Sequence, residues 1–205
     1  MHLRPFQAAL KFAIAIVVAG IIALPAFGAD RGAETMLRNS IDEVLTIAYS
    51  NPGKAPTPAS LRPSLEKCFA FELVTRQVIG AGWKQFSDAD RKRVTNLFTE
   101  LLIRTYARRV IGTKRPKIVY GSPIEVAPGR QELPTRVTTS SYPDPFPVTY
   151  RITKLPEGWR IYDIVVEGVS FVANYRSQFA GIVQKGGAPA VIQSLETKLA
   201  SPPNT

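Results

Sequence analysis

A chain of 205 residues with 26 lysines and arginines against 16 aspartates and glutamates carries a formal charge of +10. Its one cysteine, Cys68, leaves no internal disulfide, and its one histidine, His2, stands at the extreme N-terminus. Zinc sites made from histidine and cysteine are therefore excluded from the body of the chain, as are triads and general bases that need histidine.

The N-terminus is laid out as an export signal. Arg4 and Lys11 precede an uncharged apolar run, Phe12 to Leu24, and Ala26-Phe27-Gly28 then supplies small residues just before the first acid, Asp30. The run has 13 residues, short of the roughly 20 that a spanning helix requires. Residues 1–28 are expected to be a cleavable signal peptide, cut after Gly28 or Ala29, with a retained anchor as the alternative. No cysteine follows the cleavage site, which argues against a lipoprotein. Removing Arg4 and Lys11 takes the charge from +10 to +8. Such a surface favours anionic partners. The basic residues are spread along the chain without a long block, so no nucleic-acid partner is expected. The 177 remaining residues make one domain, 29–200, with a sizeable core, followed by a disordered tail, 201–205.

Helices come first. Met36, Leu37, Ile41, Val44, Leu45 and Ala48 recur at three and four residues and predict a helix over Thr35 to Tyr49. Asn51 to Pro58 is a Pro/Gly-rich break. A short helix is expected over Ser60 to Lys67 and another over Phe71 to Ile79, stopped by Gly80 and Gly82. Ser87 and Asp90 then have the spacing of a capping box. Val94, Leu97, Phe98, Leu101, Leu102, Tyr106 and Val110 make an apolar face that runs to Gly112. Arg91, Lys92, Arg93, Arg104, Arg108 and Arg109 make the rest of that helix basic: a solvated face or a docking surface.

Strands follow. Lys117 to Val126 reads as one strand with an interruption at Gly121-Ser122-Pro123. After a turn at Pro128-Gly129 comes Leu133 to Ser141. Pro143, Pro145 and Pro147 exclude regular pairing. Val148 to Thr153 alternates as a half-buried strand, Glu157-Gly158 turns, and Trp159 to Val166 is the fourth strand. Two helices close the chain, one with Phe171, Val172, Tyr175, Phe179, Ile182 and Val183 on a face. Gly186-Gly187 separates it from another with Val191, Ile192, Leu195 and Leu199 inward and Pro189 in the first turn. The predicted fold class is α+β: a four-stranded antiparallel sheet with helices packed on one face around an apolar cavity.

Little here points to chemistry. No Walker-type or dinucleotide glycine motif is present, and Gly80-x-Gly82 alone has no phosphate-binding meaning. No acidic cluster suggests calcium, and no cofactor is expected. Cys68, among Leu65, Phe69 and Phe71, reads as a small buried hydrophobe. Asp163, the one acid in an apolar strand, needs a partner because a buried unpaired carboxylate is costly. Arg160, Tyr175 and Arg176 are the candidates. A general-base role for Asp163 would resemble the ketosteroid-isomerase type of site, but no second polar group completes it. Binding is favoured over catalysis.

Gly158-Trp159-Arg160-Ile161-Tyr162-Asp163-Ile164-Val165-Val166-Glu167-Gly168-Val169-Ser170, running into Asn174-Tyr175-Arg176-Ser177-Gln178-Phe179, closely resembles the MlaC family, the toluene-tolerance auxiliary proteins. Leu102-Ile103-Arg104-Thr105-Tyr106-Ala107 and the aromatic segment Phe69-Ala70-Phe71 through Gly82-Trp83 agree with it. The resemblance implies a periplasmic phospholipid carrier with lipid tails held between sheet and helices. It implies as partners an inner-membrane ABC transporter with an MCE-domain subunit and an outer-membrane lipoprotein–porin complex. A hopanoid or other apolar lipid is an alternative cargo, and a cargo-free basic adaptor an alternative role. The apolar residues of the matched segments expected to line the pocket are Phe71, Val74, Val78, Trp83, Phe98, Leu101, Leu102, Tyr106, Tyr150, Ile152, Tyr162, Ile164, Tyr175 and Phe179.

Overall fold

The structure is a computed structural model that describes residues 31–50, 56–106 and 114–201. The export signal, residues 51–55, the helix end at Gly112 and the tail beyond Ser201 lie outside the described residues. Helix α1 is Gly32–Tyr49, α2 Pro58–Cys68 and α3 Phe71–Ile79. A 3₁₀ segment, Gly80–Gln85, leads to α4, Asp88–Tyr106. Thr57 caps α2, accepting from the Ser60 amide at 3.2 Å. The expected N-cap at α4 is formed, with the Asp90 amide donating to Ser87 Oγ at 3.1 Å, while the Asp90 carboxylate accepts from the Ser87 hydroxyl at 2.6 Å instead of from its backbone amide.

The sheet has six strands where four were expected. They are β1 Lys117–Tyr120, β2 Ile124–Ala127, β3 Arg130–Thr138, β4 Phe146–Leu155, β5 Gly158–Val166 and β6 Val169–Ser170. All the ladders are antiparallel, in the order β1-β3-β4-β5-β6, with β2 also on β3, and the sheet is not closed into a barrel. Two local effects account for the difference. Gly121-Ser122-Pro123 divides the expected first strand in two, with Tyr120 opposite Thr135 and Ile124 opposite Glu132. Pro134 sits in β3 beside that gap, so its missing N–H costs no ladder bond to a paired neighbour, and its carbonyl accepts from Gly121 N at 2.8 Å. The sixth strand is two residues long, too short for alternation to reveal, and returns along β5 through Glu167 and Gly168, both at positive φ. Strand β4 also begins earlier than expected. Phe146 pairs with Val137 and Pro147 with Arg136, while the Pro147 carbonyl accepts from Glu167 N at 3.0 Å.

The last helix, α5, runs Phe171–Ala200 and breaks at Gly187, whose φ of 55° and ψ of −144° are non-helical. The expected division at Gly186-Gly187 is therefore present, as a sharp bend.

The core has two parts. One is helical: Val78, Trp83, Val94, Phe98, Phe179, Val191 and Leu195 from α3, the 3₁₀ segment, α4 and α5. Phe98 makes edge-on contacts with Tyr175 and Phe179. The other lies on the sheet: Ala33 and Leu37 of α1 and Cys68 of α2 pack on Leu133, Ile152, Trp159 and Ile161. Helices α1 and α2 thus cover one face of the sheet, while α3 to α5 form a body joined to it at β5, where the Ala70 amide donates to the Ile161 carbonyl at 2.9 Å. Among the described residues no helix is long and apolar enough to cross a membrane.

Candidate functional site

The apolar residues expected to line a pocket fall on both sides of this division. Val74, Val78, Trp83, Phe98, Leu101, Leu102, Tyr175 and Phe179 are buried in the helical cluster, with Phe71 packed against it. Ile152 is buried in the sheet cluster, with Tyr150 and Ile164 at its margin. Tyr150 stands opposite Ile164 in the ladder. Tyr162 is apart from both. Tyr150 and Ile152 span Arg151 on β4, but Arg151 pairs with Asp163 and Ile152 with Ile161, so Tyr162 is the extra residue of a bulge. Its ring lies 5.6 Å from the Arg130 guanidinium, away from the apolar face. Tyr106 ends α4, and its side chain lies outside the described residues.

The junction between the clusters is made of aromatic and aliphatic side chains that are only half buried. Phe69 belongs to the sheet cluster and Phe71 to the helical one, and they stack with centroids 5.4 Å apart. Tyr150 is informative here. Burial pushes its phenol well above the ordinary range, while part of its side chain stays accessible. Tyr150, Ile164, Phe69 and Phe71 are thus half-buried apolar side chains packed against the two clusters. Phe69 was not among the residues expected to line the pocket, and its place at the junction was not read from the sequence. The signal was its position in the two-residue link between α2 and α3.

The polar groups nearby hold the frame. Asp163 is buried at 4% exposure. It does not pair with Arg160, Tyr175 or Arg176, the partners expected from sequence proximity. Arg151 Nη1 donates to Oδ2 at 3.1 Å and Ser170 Oγ at 2.6 Å, while the amides of Ile164 and Val172 donate to Oδ1 at 2.9 and 3.0 Å. Arg151 also donates to Glu132 at 2.9 Å, the largest of the effects that raise its pKa. The carboxylate therefore ties β4 and β5 to the first turn of α5, where negative charge is favoured. Glu132, Arg151, Asp163, Ser170 and Val172 line a concavity of about 400 Å³ with Gln77, Tyr162 and Arg176, on the sheet face opposite Tyr150. No buried carboxylate is left available as a base there, since Asp163 accepts four hydrogen bonds.

Cys68 is buried, and its thiol is pushed up to about 11, burial being the largest cause. Thiolate chemistry is disfavoured at such a site. Among the described residues no group of acids, histidines or cysteines is arranged to hold a metal ion. On α4 the arginines are largely engaged within the fold. Arg91 donates to the carbonyls of Trp83 and Lys84, Arg93 pairs with Glu196, and Arg104 reaches the carbonyls of Leu199 and Ser201. Arg108 and Arg109 lie outside the described residues.

No curated protein matches the chain. Among solved structures it is similar to a phospholipid-binding protein from Ralstonia solanacearum, solved in complex with a phospholipid. The identity is 25% and the TM-score 0.74, over 82% of this chain and 97% of that one. Residues 38–197 match the family described as MlaC protein, a span that takes in every described strand and all but the ends of the first and last helices. The chain belongs to the MlaC family.

Proposed function

We propose that this protein is a periplasmic phospholipid carrier that shields lipid tails in the apolar interior between its sheet and its helical body. The observation that carries the reading is the likeness, over almost the whole of the matched chain, to a protein solved with a phospholipid bound. The division of the core into two clusters that meet through half-buried aromatics supports it. The proposed lining is the set Phe71, Val74, Val78, Trp83, Phe98, Leu101, Leu102, Tyr106, Tyr150, Ile152, Ile164, Tyr175 and Phe179. Tyr162, turned to the opposite face of the sheet by the bulge, is left out of this set.

The energetics require no catalysis. Each buried methylene contributes about 0.8 kcal/mol, so a tail of about 16 carbons in water loses on the order of 12 kcal/mol. A carrier must replace that with a comparably dry surface, and it needs neither nucleophile nor metal to do so. In this reading the export signal delivers the protein to the periplasm. There it exchanges lipid with an MCE-domain subunit of an inner-membrane ABC transporter and with an outer-membrane lipoprotein–porin complex, as the family resemblance implies.

The test is organic extraction of the natively purified protein followed by mass spectrometry. Phospholipid at close to one molecule per chain is expected. Empty preparations that also fail to take up lipid from vesicles would sink the reading, and a bound hopanoid would change the cargo while keeping the carrier.

A further inference from the structure

One face of the sheet is covered by α1 and α2, and on the other the side chains toward the β1–β2 edge are exposed. Alternation assigns the residues. Gln131, Leu133 and Thr135 of β3 are buried, so Arg130, Glu132, Pro134 and Arg136 stand on the open face. The register adds Val119 opposite Arg136, Lys117 two residues before it, and Ile124 opposite Glu132. Val126, in the irregular step of β2, is exposed beside them.

Two properties of this face are unusual together. Val119, Ile124 and Val126 are exposed at 54%, 53% and 50%, a row of aliphatic side chains along the edge. Lys117, Arg130 and Arg136 are exposed too, and none of them forms an ion pair with a described residue. The acid between them, Glu132, is already bound to Arg151 at 2.9 Å. The open face is therefore aliphatic and cationic, with its carboxylate neutralised.

We infer that this face docks on an anionic lipid surface. The aliphatic row suits the boundary between head groups and acyl chains, and the three cations suit lipid phosphates, which a neutral or acidic protein surface does not offer. The face lies on the side of the sheet away from Tyr150, so docking leaves the proposed lipid space unobstructed. The inference does not depend on what that space holds.

The test is flotation of the purified protein with phosphatidylglycerol-rich vesicles and with pure phosphatidylcholine vesicles. Binding to the first, weak binding to the second, and loss of binding at high salt are expected. Each cation neutralised should lower the partition coefficient roughly five-fold, so the double variant Lys117→Gln/Arg136→Gln should fall about thirty-fold. Val119→Asn/Ile124→Asn should weaken binding at every salt concentration. Lipid content after extraction, and circular dichroism, should match the unaltered protein in both variants, which separates this proposal from the carrier reading. Equal binding to both vesicle types, or binding unchanged by the double variants, would overturn it. So would a dimer in solution that the same variants dissociate, since the occupant would then be a second copy of the chain.

Discussion

Phe69 and Phe71 are two residues apart, belong to different hydrophobic clusters, and stack at 5.4 Å with their planes 20° from parallel. The intervening Ala70 donates its amide to Ile161 on β5. This short link is where the sheet and the helical body touch through apolar side chains. The stack should contribute about 0.5–1.5 kcal/mol beyond area burial. In a double-mutant cycle of Phe69→Leu and Phe71→Leu by chemical denaturation, a coupling of that size is expected. Each single variant should also retain less co-purified lipid.

Tyr150 offers a sharper test of the interior space. In the carrier reading Tyr150 lines the lipid space, and Tyr150→Trp adds volume there. Lipid per chain, measured by mass spectrometry, should fall several-fold, while the melting temperature changes little. In a filled core the same change would cost about 1–3 kcal/mol of strain, and that outcome would take Tyr150 out of the lipid space.

Asp163 is predicted to serve the frame. Asp163→Asn keeps an oxygen for one amide but loses the charge that Arg151 and the helix start both meet. A loss of about 2–3 kcal/mol is expected, which for a domain of this size lowers the melting temperature by roughly 4–12 °C. Calorimetry should show that drop, with lipid content unchanged in the folded fraction.

The Cys68 thiol is raised from 9.0 to about 11 by burial. The folded state therefore holds its proton more tightly than the unfolded one. The stability this provides is fully present below pH 9.0 and is lost as the pH rises through about 11. Below that window a thiol reagent should label the native protein slowly, and labelling should accelerate on unfolding in denaturant.

Most of the helical fold was legible because its signals are local. Ser87 caps α4 as its spacing to Asp90 implied, Phe71 to Ile79 is helical over the span predicted, and Gly187 breaks the last helix. The sheet was read less well, for reasons of length and register. Alternation cannot reveal a strand as short as Val169–Ser170, nor decide whether an interruption such as Gly121-Ser122-Pro123 bends a strand or ends it. The partner of Asp163 was misjudged because it is chosen across the ladder. Arg151 is its cross-strand neighbour, whereas proximity in sequence pointed to Arg160 and Arg176. The bulge that turns Tyr162 away from Tyr150 and Ile164 depends on the same pairing.

The break between β1 and β2 has a consequence for how the protein behaves in a crowd. An unbroken edge of about six or seven β-prone residues is a template on which another chain can lay down a strand. Here that edge consists of two four-residue stubs, each about 13 Å long, with Gly121 and Pro123 in the gap between them. An incoming strand loses its ladder after the first stub. The proline that interrupts the sheet thus acts as a stop against polymerisation, and it lets a basic, aliphatic face remain uncovered while the molecule stays free to diffuse.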